Sequence, residues 1–290
     1  MLPLTTLQML LVAVAGGLVG FVSGAFGVGG GFLIFPLLTA GMGMPVEVAV
    51  GCAACQALGP CTTALLGRGV RWNDFDVPLV LAGGLLIGVL GGGATLHSWK
   101  AVEVTPGQLE HLEWLTNGLY VLLLGSVGSF SLYEGWRSER YQPLTTGWLA
   151  GSRLPPRLES EQIPHPISLP LLCWFGLGVG FQSALLGNSG GLLLMPGLVY
   201  LFGIPTQQAI EYALISVWLV SLKSTAVHAW YEHISLPVVA ALLLGGTLGA
   251  HFGSDWGKRL RSAQTRTRFG WLAVGTATFL LVRLLWLSLG

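Results

Sequence analysis

The chain has 290 residues, 52% of them hydrophobic and 9% charged, with a mean hydropathy of +0.69 and a formal net charge of +1. Soluble domains carry about 25% charged residues, so the composition excludes a water-covered globular fold, and the near-neutral charge gives no sign of a nucleic-acid partner. It specifies a membrane protein whose first partner is the lipid bilayer.

A bilayer core of about 30 Å asks for runs of roughly 17–25 apolar residues per helix. Such runs are predicted near 4–24, 46–66, 77–97, 114–134, 167–186, 207–229, 235–254 and 269–289. The first has no basic leader and is followed by more membrane sequence, so it reads as a retained span rather than a cleaved signal.

Directly after the first run comes SGAFGVGGGFLIFP, Ser23 to Pro36. Glycine costs roughly 0.5–1 kcal/mol against alanine in a helix interior and proline about 3, so this stretch predicts a break in the helix. The second run carries Cys52, Cys55 and Cys61, with Pro60 between the last two. Cys52 and Cys55 share a helical face at i and i+3. Two thiols without other clustered ligands make a poor metal site; they read as packing residues or as S–H donors along a path. Gln56, beside them, is a further hydrogen-bond donor. Residues 135–166 hold RLPPRLESEQIPHP, whose prolines and mixed charges suit a linker.

A second break, SALLGNSGGLLLMP, runs from Ser183 to Pro196, each position 160 residues after its counterpart (183 − 23 = 160). The register holds without a gap from Gly16/Gly176 through Pro45/Pro205 to Ala49/Ala209. The chain therefore divides into a first transmembrane repeat at 1–134, a cytoplasmic linker at 135–166 and a second repeat at 167–290. Eleven of the fourteen Lys and Arg residues lie in three loops: Arg68 and Arg71; Arg137, Arg140, Arg153 and Arg157; and Lys258, Arg259, Arg261, Arg266 and Arg268. The positive-inside rule places all three in the cytoplasm. The loop after the second run is then inside, and its equivalent, Tyr231 to Ser235, outside, so the halves are inverted. Inversion needs an odd number of crossings per half, and the segments after the glycines, 30–43 and 190–203, supply the missing one. Fourteen helical residues reach roughly 21 Å, too short for the full core. The expected fold is an all-α polytopic protein of two inverted repeats, with about eight long helices and two short recessed half-helices.

Irregular backbone at membrane depth is tolerated only inside protein or against a water-filled cavity. Half-helices starting at Gly29–Gly31 and at Ser189, Gly190 and Gly191 would aim free N–H groups and positive dipole ends into such a cavity. Two of them converging at a repeat interface suit a small anion; the competing reading is that the glycines only allow close helix packing. Asn188 and Ser189, within the second break, add side-chain donors, as does Gln182 nearby. In the sixth run Lys223 is a candidate charge partner for the anion, or a structural partner of Glu211. His228 is a candidate for proton coupling or a satisfied interfacial residue. No cofactor and no metal are implied.

The paired breaks GVGGGFLIFP and GNSGGLLLMP are each followed by an apolar segment, a Gly-x-Pro turn (GMP at Gly43, GIP at Gly203) and a helix opening on AV or AI. In this the chain resembles the TauE/SafE, or sulfite exporter, family of membrane permeases, and the resemblance covers nearly its whole length. It implies transport of sulfite, thiosulfate or organosulfonates across the cytoplasmic membrane, and no enzymatic activity. VGCAAC and IEYALI stand where the family usually has small hydroxyl residues. A passive anion channel is the nearer alternative. A more distant one is an intramembrane serine protease using Ser189 and His228, with glycine amides as oxyanion hole. Against it, the first repeat keeps the glycines but has Gly29 and Arg68 at those two positions.

Overall fold

A computed structural model describes the chain except for residues 1–5, 71, 102–105, 141–146, 160–162, 164, 187–190 and 290. In chain order the helices are α1 (Thr6–Phe26), α2 (Gly31–Pro36) with a π-helical turn at Leu37–Gly41, α3 (Val46–Arg68), α4 (Asp76–Ala101), α5 (Pro106–Arg140), α6 (Leu169–Leu186), α7 (Gly191–Tyr200), α8 (Thr206–Trp230), α9 (Leu236–Arg259) and α10 (Ser262–Leu289). A 3-10 turn at Trp72–Phe75 leads into α4, and β1 (Arg157–Leu158) pairs antiparallel with β2 (Ile167–Ser168). Helices lie over all eight predicted runs. Among the described residues, four are long and apolar enough to cross a membrane: Thr6–Phe26, Val48–Arg68, Thr206–Trp230 and Leu236–Arg259. Shorter apolar helices cover Asp76–Gly92, Leu169–Ala184 and Gly191–Tyr200.

Local chemistry sets the ends. Pro45 and Pro205 precede α3 and α8 with nearly the same backbone, φ −54° and ψ 141° or 138°. The amides that open each helix have no intrahelical partner, and a fixed proline φ suits that entry. Gly69 ends α3 in the left-handed region at φ 70°, its N–H returning to Leu65 and Leu66 carbonyls, a glycine-capped end.

Glycine faces set the packing. α1 runs along α9, α4 along α6 and α5 along α10. On α1, Gly16, Gly20 and Gly24 repeat every four residues and press on Leu242, Gly246 and Ala250; a Cβ at Gly24 would lie 2.5 Å from the Ala250 carbonyl. From the other side Gly245, Gly249 and Gly253 of α9 meet Ala13, Gly17 and Phe21. α4 and α6 repeat the device with Gly84, Gly88 and Gly92 against Gly176 and Gly180 and their neighbours. Lipid tails are as apolar as leucine, so close van der Waals approach, not hydrophobic expulsion, holds such pairs. α5 and α10 add a buried ion pair, Arg266 Nη1 to Glu134 Oε2 at 3.0 Å. The core gathers round α8, where Ile210, Tyr212, Ala213, Leu214 and Val217 are buried, while a second cluster joins α1, α2, α3 and α9.

α5 continues as helix to Arg140, and the segment from Gly147 does not hang free. Trp148 and Leu149 donate N–H bonds to the Tyr200 and Leu201 carbonyls, at 3.1 and 2.7 Å. The His165 ring lies 2.6 Å from the Phe202 carbonyl. Prolines and charges mark this stretch as irregular, but its backbone still needs partners, and the free carbonyls at the end of α7 and just after it supply them.

Candidate functional site

α1 ends at Phe26 because Gly27, Gly29 and Gly30 take φ of 73°, 74° and 72°, a region closed to most side chains. α2 restarts from Gly30, which caps it without a side-chain bond. The Gly31 N–H turns back onto the Gly29 carbonyl at 2.9 Å, and Leu33 donates to Gly30 at 3.1 Å. Gly29, Gly30 and Gly31 are all buried. The second break meets the first: a Cβ built at Gly191, where α7 begins, would overlap the Val28 carbonyl and lie 3.1 Å from Val217 Cγ2. Asn188, Ser189 and Gly190 lie outside the described residues.

Gln56, on α3, is fully buried, and neither end of its amide has a hydrogen-bond partner. The amide of Gln182 on α6 is unpartnered in the same way. Cys52 is buried and its Sγ accepts the Ser235 N–H at 3.3 Å, tying α3 to the start of α9; Cys55 is half-buried in the same apolar cluster. Lys223 stands exposed on α8. His228, at the end of α8, is half-buried with Nδ1 unpartnered and its ring 5.6 Å from His233. So the structure gathers Gly29, Gly30, Gly31, Gln56 and Gly191 about the breaks. Cys52, Cys55 and His228 lie toward the Ser235 end of the bundle. No group of three His, Cys, Asp or Glu able to hold a metal occurs among the described residues.

The two ends of the bundle differ. At one end, Gln8, Met9, Val12, Leu37, Met42 and Val238, with the turn Gly41 to Pro45, line a cavity of about 850 Å³. At the other, the Arg68 side chain is 1% exposed and 3.9 Å from Glu211 Oε1. Arg68 donates to Gln207 Oε1 at 3.1 Å and to the Gly24 and Ala25 carbonyls at the end of α1. Gln207 donates onward to the carbonyls of Gly257 in α9 and of Leu260 just after it. One guanidinium thus ties together the ends of α1, α3, α8 and α9, and Glu211 has Arg68 rather than Lys223 as its cationic neighbour. From the sequence Arg68 reads as a loop charge and as the counterpart of His228, and its partners leave no signal there.

Comparison with known proteins agrees in kind. The profile of the family described as sulfite exporter TauE/SafE matches residues 9–280. A probable membrane transporter protein of Xylella fastidiosa strain Temecula1 is 24% identical over 298 residues, 98% of this chain and 99% of the relative. Its counterpart in strain 9a5c is 26% identical over 291 residues, with the same shares. The probable membrane transporter protein YunE of Bacillus subtilis strain 168 is 28% identical over 89 residues, 31% of this chain and 32% of the relative. No solved structure matches.

Proposed function

The chain belongs to the sulfite exporter TauE/SafE family, and on that premise we propose that it is a multi-pass transporter of the cytoplasmic (inner) membrane that carries a small sulfur-containing anion by alternating access. Sulfite, thiosulfate or a short organosulfonate is the cargo. The observation that carries the reading is the meeting of the two breaks, Val28 against Gly191. Glycine-lined, irregular backbone at depth accommodates an oxyanion, and broken helices at a repeat interface are where secondary transporters hold their substrates. Since the Gly31 amide is engaged with Gly29, donors to the anion come from Gly29 and Gly30, from Gly191 at the start of α7, from Asn188, Ser189 and Gly190 before it in the sequence, and from Gln56.

Duplication of the halves is supported by exchanged partners, and their inversion by the positions of the positive loops. With α1 equivalent to α6 and α9 to α4, the pairs α1–α9 and α6–α4 are one contact made twice. The turn bonds recur too: Met44 N–H to Leu38 O at 3.0 Å, and 160 residues on Ile204 N–H to Leu198 O at 3.1 Å. Positive loops place Arg68 and the linker in the cytoplasm, so the cavity opens outward while the Arg68 cluster closes the inner end. Transport then requires that cluster to part.

The test is uptake of radiolabelled sulfite, thiosulfate and 2-hydroxyethanesulfonate by proteoliposomes, for the natural protein and for Gly30→Leu and Gly191→Leu. One anion should be taken up, and both substitutions should stop it in protein that still elutes as a single species. Unlabelled anion on the far side should accelerate uptake, as a carrier demands and a channel does not. Flux untouched by both substitutions would reduce the glycines to packing devices.

A further inference from the structure

Among the described residues two buried side-chain amides, Gln56 and Gln182, have neither end bonded, and Gln56 is the one beside the first break. Gln56 is fully buried and both Oε1 and Nε2 are unpartnered. Its helix offers no help: Cys52 and Ala53 lie one turn before it and Pro60 one turn after. Across the interfaces, two glycines stand at its two ends. A Cβ at Gly30 would lie 3.6 Å from Oε1, and one at Gly246 of α9 would lie 3.1 Å from Nε2. The amide therefore faces the break on one side and the glycine surface of α9 on the other, with no side chain of either glycine to cover it. Exchanging the oxygen and nitrogen assignments changes nothing, because neither atom has a partner. Buried donors and acceptors are normally satisfied, and leucine or methionine would fill the same volume without a polar group. An amide kept here is accounted for by a ligand that bonds it.

We propose that Gln56 is a specificity-determining residue of the transport site, and that it selects a singly charged sulfur oxyanion bearing its own O–H donor. This rests on the reading of the chain as a sulfur-anion transporter. The class is hydrogensulfite or a hydroxyl-bearing sulfonate. Nε2 carries two hydrogens and needs an acceptor, which any sulfur oxyanion supplies; Oε1 accepts only and needs a donor. Dianionic sulfite or thiosulfate offers lone pairs alone and sets charged oxygen or sulfur against Oε1. A hydroxyl on the ligand satisfies the second end. Sites that bond a ligand hydroxyl discriminate strongly against the analogue lacking it, since their own polar group is then stranded.

The experiment is competition against uptake of radiolabelled sulfite into proteoliposomes holding the full chain, comparing 2-hydroxyethanesulfonate with ethanesulfonate. The natural protein should be inhibited at least about tenfold more effectively by the hydroxyl-bearing compound. In Gln56→Leu and Gln56→Met that ratio should fall close to one, whatever the absolute rates; two variants are used so that a folding failure of one leaves the other. Equal competition by the two sulfonates, no competition by either, or a ratio that survives both substitutions overturns the inference while leaving the transporter reading intact. Uptake of thiosulfate alone also overturns this inference and leaves the transporter reading intact; absence of uptake of sulfite, thiosulfate and sulfonate alike overturns both.

Discussion

Around Leu38 to Pro45, and again around Leu198 to Pro205, the chain leaves a short helix through the same hydrogen bond, a left-handed glycine (φ 63° at Gly43, 67° at Gly203) and a proline that opens the next helix. The first turn borders a cavity of about 850 Å³. The second is covered: Gly147 packs on Gly203, Leu149 bonds the Leu201 carbonyl and His165 the Phe202 carbonyl. Backbone shape follows local sequence, whereas accessibility follows connectivity. Two turns of the same backbone shape are not equivalent here, because the segment from Gly147 to His165 docks on only one of them.

Substitutions at positions 160 residues apart bear directly on that contrast. The largest difference is expected for tryptophan at Leu172 and at Val12. Leu172 is fully buried and overpacking there should abolish the single elution peak of the folded protein, while Val12→Trp should fold and lower uptake by filling the cavity. Next come Arg68→Ala and His228→Ala. Removing Arg68 strands Glu211 and the α1 carbonyls and should cost about 3–5 kcal/mol, read as a lowered midpoint of thermal unfolding; His228→Ala should move it far less. Equal losses would mean that both ends are latched. Gly203→Ala should then cost more than Gly43→Ala. Both pay left-handed strain of about 1–2 kcal/mol, but a Cβ at 203 would also lie 2.6 Å from the Gly147 nitrogen, whereas none of the surroundings reaches one at 43. Smallest is His165→Ala, which strands one carbonyl at about 1–3 kcal/mol; faster amide exchange across residues 200–204 would report it.

Much of the fold was legible because a bilayer imposes a length. The first apolar run, near 4–24, became Thr6–Phe26, and the glycine break fell between Phe26 and Gly31. Helix ends were less legible where polar residues extend a helix past the apolar core: α5 begins at Pro106 rather than near 114 and ends at Arg140 rather than 134. The segment after Pro36 reads as one short helix in the sequence, yet it widens to a π turn at Leu37–Gly41. Proline has no N–H to continue the regular ladder, but the register of its replacement depends on what packs around it. At the site, repetition pointed to the glycines and polarity to Gln56. Hydropathy and spacing were silent on Arg68, whose partners Gln207, Gly24 and Ala25 are 139, 44 and 43 residues away. The docking of the linker on α7 was equally hidden, since backbone bonds to Tyr200 and Leu201 leave no mark on side-chain identity.

The glycine face of α1 has a consequence for how the protein is made. Its partner α9 begins at Leu236, 210 residues after α1 ends at Phe26 (236 − 26 = 210). At about 5–20 residues per second of synthesis, α1 waits roughly 10–40 s in the bilayer before the surface it fits has been translated. A soluble protein exposing its packing face for that time would aggregate. In lipid the waiting face is only a row of small residues solvated by acyl chains, so a long-range pairing of this kind is safe to delay, and the bundle is not finished until the last helices emerge.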